Sequence, residues 1–164
     1  MASSLTISGI HAAYGAVRVI DDVTFKVGGG ETVVLLGTNG NGKSTLMKCI
    51  MGMVRPSAGS IVAEIDGIHH DLVGRTTEEI VDLGIALVPE GRRLFPLLTV
   101  EEILTLLMRL NAQGVTIILI EHIMSAVMSF SQRLAVLVSG RKIADGEPNA
   151  VMRDPEVERA YLGQ

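Results

Sequence analysis

With 164 residues, 48% of them hydrophobic and 3% aromatic, the chain is long enough for one domain whose core is built from small aliphatic side chains. A formal net charge of −4 argues against a basic nucleic-acid surface, and a single cysteine, Cys49, excludes an internal disulfide. No apolar run approaches the roughly 20 residues of a bilayer-crossing helix, and the chain passes from Met1-Ala2-Ser3-Ser4 straight into strand-like sequence, so the cytoplasm is the expected compartment.

Residues 5–10 alternate apolar and small polar side chains, as in a half-exposed strand. Residues 17–27 predict a second strand, and the triplet Gly28-Gly29-Gly30 reads as a connecting turn because no helix signal follows it. Residues 32–36 predict a compact buried strand, and residues 44–53 a helix closed by Arg55-Pro56. Cys49 falls on that helix, where a buried structural thiol is expected. Residues 60–65 form a further strand between turns at 57–59 and Asp66-Gly67. His69 and His70 lack a third ligand at useful spacing, so a solvated turn is expected there rather than a metal site.

Residues 76–83 read as a short helix, and residues 85–88 as a buried strand stopped by Pro89. A helical pattern covers residues 100–110, capped by the turn at 111–114, and residues 115–120 form the most strand-like run of the chain. A methionine-containing helix over 123–130, a hairpin formed by 134–138 and 142–145, and a small helix from Asp154-Pro155 complete the pattern. Strands that alternate with helices and end in a hairpin predict an α/β sandwich around a largely parallel sheet.

One stretch carries chemistry by itself. Gly37-Thr38-Asn39-Gly40-Asn41-Gly42-Lys43-Ser44 fits G-x-x-x-x-G-K-[ST], between a predicted strand and a predicted helix. Glycines permit backbone dihedrals that turn successive N–H groups inward, and the helix N-terminus adds partial positive charge. Lys43 is placed to reach the outer phosphates of a nucleotide, and the Ser44 hydroxyl to ligate Mg²⁺.

The longer run "YGAVRVIDDVTFKVGGGETVVLLGTNGNGKST" resembles the nucleotide-binding subunits of ABC transporters. The resemblance implies a P-loop NTPase-type sandwich, with a largely parallel core sheet and an antiparallel N-terminal β region. It implies that Tyr14 stacks on adenine, and that Asn39, Gly40, Gly42, Lys43, Ser44 and Thr45 hold the phosphates of ATP. "GIALVPEGRRLFPLLTVEE" is similar to the segment around the family's Q-loop, with Glu90 where most members carry glutamine, as in the branched-chain amino acid importers. Glu90 would then approach Mg²⁺ or the attacking water, and residues 94–98 would line the groove for a membrane subunit's coupling helix. "GVTIILIEHIMSAV" resembles the strand and turn bearing the switch histidine, which places His122 beside the γ-phosphate. The tail "LAVLVSGRKIADGEPNAVMRDPEVERAYLG" is similar to the same importer branch, so the resemblance spans nearly the whole chain.

Two family elements do not occur in the sequence: a serine-glycine-glycine signature, and a buried strand ending in Asp-Glu. "LTVEE" at residues 98–102 matches the segment after the Q-loop, whereas "VEEILTLLMRLNAQG" resembles the helix after the Asp-Glu strand. An internal deletion with its join near 100–103 accounts for both, removing the helical subdomain and one strand between those ending near Glu90 and Glu121. The chain is thus expected to be a single, shortened nucleotide-binding domain with an open sheet edge and marginal stability. The resemblance implies an ATPase subunit that works in pairs beneath membrane-spanning importer subunits, peripheral to the inner face of the cell membrane. This chain is expected to bind Mg-ATP with little or no hydrolysis. A non-hydrolysing regulatory remnant is the alternative, and a small P-loop kinase is a weaker one, since Arg92-Arg93 is its only nearby lid candidate.

Overall fold

The computed structural model describes residues 3–88 and 98–162. Glu90, Arg92-Arg93 and residues 94–97 lie outside the described residues.

Two four-stranded sheets face each other. The first opens with strands β1 (Ser4–Tyr14) and β2 (Val17–Val27), paired antiparallel around Gly15. Strand β3 (Thr32–Leu36) starts the second sheet, and helix α1 (Lys43–Ile50) follows it. The chain then returns to the first sheet as β4 (Ala58–Ile65) and β5 (Ile68–Asp71), giving the all-antiparallel order β2-β1-β4-β5.

After helices α2 (Thr77–Asp82) and α3 (Val100–Ala112), strand β6 (Ile117–Ile120) joins β3 in parallel. Helix α4 (Met124–Phe130) leads to β7 (Arg133–Val138) on the other side of β3, also parallel, and β8 (Arg141–Gly146) folds back antiparallel. The order is β6-β3-β7-β8. Helices α5 (Pro148–Met152) and α6 (Pro155–Leu162) end the described chain. The expected α/β architecture, with a largely parallel core sheet and an antiparallel N-terminal region, is the observed one.

All five residues of β3 are buried, because the strand alternates between two cores. Val33 and Leu35 join Ile7, Ile20, Val23 and Phe25 of the first sheet and Leu46, Cys49 and Ile50 of α1. Val34 and Leu36 point the other way, toward Val127, Phe130, Val151 and Val157. Burial pushes the Cys49 thiol up to about 11, so it is held as a neutral packing group.

Arg133 ties the layers together. Its Nε and Nη2 donate to the two carboxylate oxygens of Asp145 at 2.6 and 2.9 Å, and its Nη1 donates to the Lys26 carbonyl of β2 at 2.8 Å. A planar guanidinium meets both oxygens at once, which a lysine could not do.

Four local expectations are corrected. Helix α1 ends at Ile50 rather than Met53, because Gly52 adopts φ +71° and closes a Schellman turn: Met53 N–H donates to Lys48 and Gly52 N–H to Cys49. His69 and His70 sit on β5 rather than in a solvated turn. Asp66 and Gly67 have φ +51° and +78°, as a two-residue hairpin requires, so strand pairing continues through both histidines.

Residues 85–88 form no strand. Ile85 and Leu87 pack partly against the core, Val88 is 61% exposed, and a cavity of about 470 Å³ separates residues 83–87 from 113–118. A strand there needs a backbone partner, and among the described residues none lies beside it. Strand β6 begins at Ile117 rather than Val115, because the Thr116 hydroxyl accepts from Gly30 N–H at 2.9 Å and donates to the Ser3 carbonyl. Among the described residues no helix is long and apolar enough to cross a membrane, and no three metal-ligating side chains cluster.

Candidate functional site: the phosphate loop

The loop leaves the carboxyl end of β3, the edge at which open α/β sheets bind ligands. Two glycines are dictated by their surroundings. A β-carbon on Gly37 would lie 2.5 Å from the Leu137 carbonyl oxygen. At Gly42, φ is +91°, and a β-carbon would stand 2.6 Å from Ile20 Cδ1 and 2.9 Å from the Val19 carbonyl. The loop is therefore wedged between β2 and β7 and can be followed only by the turn into α1.

Helix α1 has no side-chain cap and no acidic residue in its first turn. No acidic side chain of the helix's own first turn offsets its N-terminal partial charge, which suits an anion. Lys43 Nζ donates to the carbonyls of Gly37 at 2.6 Å and Thr38 at 3.0 Å, so the ammonium curls over the loop it belongs to. Ser44 is exposed on the first turn, whereas Thr45 is 7% exposed and packs inward. Asn39 and Gly40 are exposed at the tip of the loop.

Tyr14 ends β1, opposite Val17, and its side chain is 47% exposed. The close approach of Val19 to Gly42 brings the turn end of this hairpin toward the loop, with an accessible ring at its edge. His122 follows β6. Ile120 lies opposite Leu35 in parallel register, so His122 and the loop emerge from the same sheet edge, and the His122 side chain is 92% exposed. Glu121 accepts from the N–H groups of His122 and Ile123 at 2.8 and 3.0 Å, fixing the turn that carries the histidine.

Sequence spacing did not single out the supports on the far side. Asn41 Nδ2 donates to Thr38 Oγ1 at 2.7 Å, and its Oδ1 accepts from Ser139 N–H at 2.9 Å. The β7–β8 turn is itself held: Gly140 accepts from Asp21 N–H at 2.9 Å, and Arg141 Nε donates to Asp21 Oδ2 at 2.8 Å. The Arg141 hydrogen bond, with the charges of Arg141 and Arg18, holds the Asp21 carboxyl below its ordinary range despite an opposing desolvation effect. Ser139-Gly140 was legible as a turn, but nothing local pointed it at position 41.

The family profile of the ABC transporter matches residues 20–155. The chain is 42% identical over 98 residues to the high-affinity branched-chain amino acid transport ATP-binding protein BraG of Pseudomonas aeruginosa, covering 60% of this chain and 40% of that one. It is 30% identical over 162 residues to the Nod factor export ATP-binding protein I of Rhizobium etli, covering 94% of this chain and 49% of the relative. The chain thus spans less than half the length of these two curated relatives. The fold superposes on the crystal structure of a nucleotide-free ATP-binding cassette from an ABC transporter with a TM-score of 0.83 at 18% identity, covering 99% of this chain and 100% of that one. The phosphate loop, the two-sheet fold and the profile match agree: this chain belongs to the ABC transporter family, as an ATP-binding domain.

Proposed function

We propose that the chain is the ATP-binding part of an ABC importer for branched-chain or related amino acids, and that it binds Mg-ATP with little or no hydrolysis. The observation that carries the binding reading is the wedged loop, whose Lys43 ammonium and helix N-terminus converge where phosphates would sit. Backbone amides from 39 to 45 and Lys43 would hold the phosphates, the Ser44 hydroxyl would ligate Mg²⁺, and Tyr14 would stack on the base. Bound Mg²⁺ would neutralise charge between the outer phosphates.

His122 is proposed to orient water and stabilise charge at the γ-phosphate, and Glu90 to act on the same water or metal. The sequence lacks the Asp-Glu strand and the serine-glycine-glycine signature, so positioning and charge stabilisation are both incomplete and turnover falls by orders of magnitude. A deletion near residues 100–103 is the proposed origin. Among the described residues β6 is an edge strand with a cavity beside it, which supports that reading.

Amino acid cargo rests on the likeness to BraG and on the segments around Glu90 and the tail, since the matched relatives also include an exporter. The proposed partners are membrane-spanning subunits, docking at residues 94–98, and a second ATP-binding subunit, all at the cytoplasmic face of the membrane. The deciding experiment compares Mg-ATP binding and phosphate release for this chain and for a version with the middle segment restored. Binding by both with release by the longer form alone is expected, whereas equal hydrolysis would overturn the reading.

A further inference from the structure

We infer that Asn41 is a positioning residue for the phosphate cradle, fastening it to the β7–β8 turn so that the loop keeps its shape when Lys43 engages a ligand. The phosphate-loop pattern leaves position 41 open, so no spacing rule calls for asparagine there. Yet both ends of this amide are engaged: Nδ2 on Thr38 Oγ1 at 2.7 Å, and Oδ1 on Ser139 N–H at 2.9 Å, 98 residues away in sequence.

The anchor is firm. Ser139 has φ +49°, Gly140 abuts the Val19 carbonyl too closely to carry a β-carbon, and Asp21 grips both Gly140 and Arg141. Thr38 is held twice, through its carbonyl by Lys43 and through its hydroxyl by Asn41. A phosphate competes for the Lys43 ammonium and withdraws it from the Gly37 and Thr38 carbonyls. The Asn41 bond then remains to stop the loop from relaxing, so the cost of reorganisation is avoided at the moment of binding.

This inference rests on the nucleotide-binding reading, and its test separates the two. Mg-ATP, Mg-ADP and inorganic tripolyphosphate are titrated into the full chain, Asn41→Ala, Thr38→Val and the double variant, with Lys43→Ala as the control for phosphate binding itself. Asn41→Ala weakens all three ligands by a common factor, about 3- to 10-fold. The double variant binds no worse than Asn41→Ala, because both changes break one connection. Binding within twofold of the unaltered chain, or losses that simply multiply, overturns the inference.

Amide hydrogen exchange on the ligand-free proteins gives the second measurement. Asn41→Ala exchanges the Ser139 amide at least about threefold faster, with a melting temperature close to that of the parent. An unchanged Ser139 rate overturns the inference whether or not the chain binds nucleotide. Failure of the unaltered chain to bind Mg-ATP overturns the nucleotide reading alone.

Discussion

The Val19 carbonyl oxygen lies 2.9 Å from the point that a β-carbon on Gly42 would occupy, so strand β2 closes directly over the turn that starts α1. Gly42→Ala must therefore do two unfavourable things. It places a side chain at φ +91°, at a cost of roughly 1–2 kcal/mol. It also presses on Ile20 and on backbone that cannot rotate away, a strain of about 1–3 kcal/mol. The expected outcome is a lower melting temperature together with a loss of Mg-ATP affinity of roughly tenfold or more, about 1.4 kcal/mol. Calorimetric titration against a thermal melt of the same sample checks both.

Lys43→Ala separates binding from folding. The lysine is half-buried, with its ammonium over the Gly37 and Thr38 carbonyls, and it is not a member of either hydrophobic core. Mg-ATP affinity is expected to fall by about 100-fold or more, since a charge-assisted contact to phosphate and the loop's own brace are lost together. Fluorescent-nucleotide titration measures this, with circular dichroism to show that the secondary structure is kept.

The loop and β3 were legible because their signals are local: a fixed glycine spacing, and a short apolar run ending at it. Gly52 and Asp66-Gly67 carry equally local signals, a helix-closing glycine and a turn pair that the structure makes into a hairpin, and these fix the end of α1 and the strand through His69-His70. Residues 85–88 are different. Their alternation is strand-like, but a strand forms only against a neighbour, and no property of Ile85 or Leu87 reports whether one is there. The Asn41–Ser139 contact was hidden for a similar reason, since it joins positions 98 residues apart through a backbone amide that any residue would supply.

Leu46 offers a test of coupling between core and loop. It is fully buried on α1, two residues beyond Ser44, within the core shared by both sheets. Leu46→Ala is expected to destabilise the fold by about 2–5 kcal/mol. Saturating Mg-ATP at 100 times its dissociation constant should return about 2.7 kcal/mol of that through preferential binding to the folded state. Denaturant unfolding with and without nucleotide gives both numbers, and an absence of nucleotide-dependent stabilisation would contradict the proposed site.

The acid limb of stability should report Asp145. Burial alone would push its carboxyl up, but hydrogen bonds and charge from Arg133 and Lys142 outweigh burial and hold it below its ordinary value. A carboxylate with a depressed folded-state value stabilises the protein at pH above its unfolded value, near 3.9, and that stability is lost as pH falls through the folded value. Asp145→Asn should therefore lower stability at neutral pH and flatten the decline below about pH 4. Urea midpoints measured from pH 3 to 7 test the slope, and parallel curves for parent and variant would remove Asp145 from the account.

Among the described residues β6 has a strand neighbour on one side only. Ile117 donates to Glu31 and faces β3, so strand alternation turns the amides of Ile118 and Ile120 toward the side where no described strand lies. Each backbone group left dry and unpaired costs roughly 1–3 kcal/mol, and neither a proline nor a lysine guards the run Ile117–Ile120. Val115, 44% exposed, extends the apolar character at the entrance to this edge. The chain is expected to associate increasingly with concentration, and Val115→Lys to shift that association to higher concentration by placing a charge where a second strand would dock. Sedimentation equilibrium of parent and variant measures the shift. A parent that stays monomeric across the concentration series would show that this edge is already satisfied.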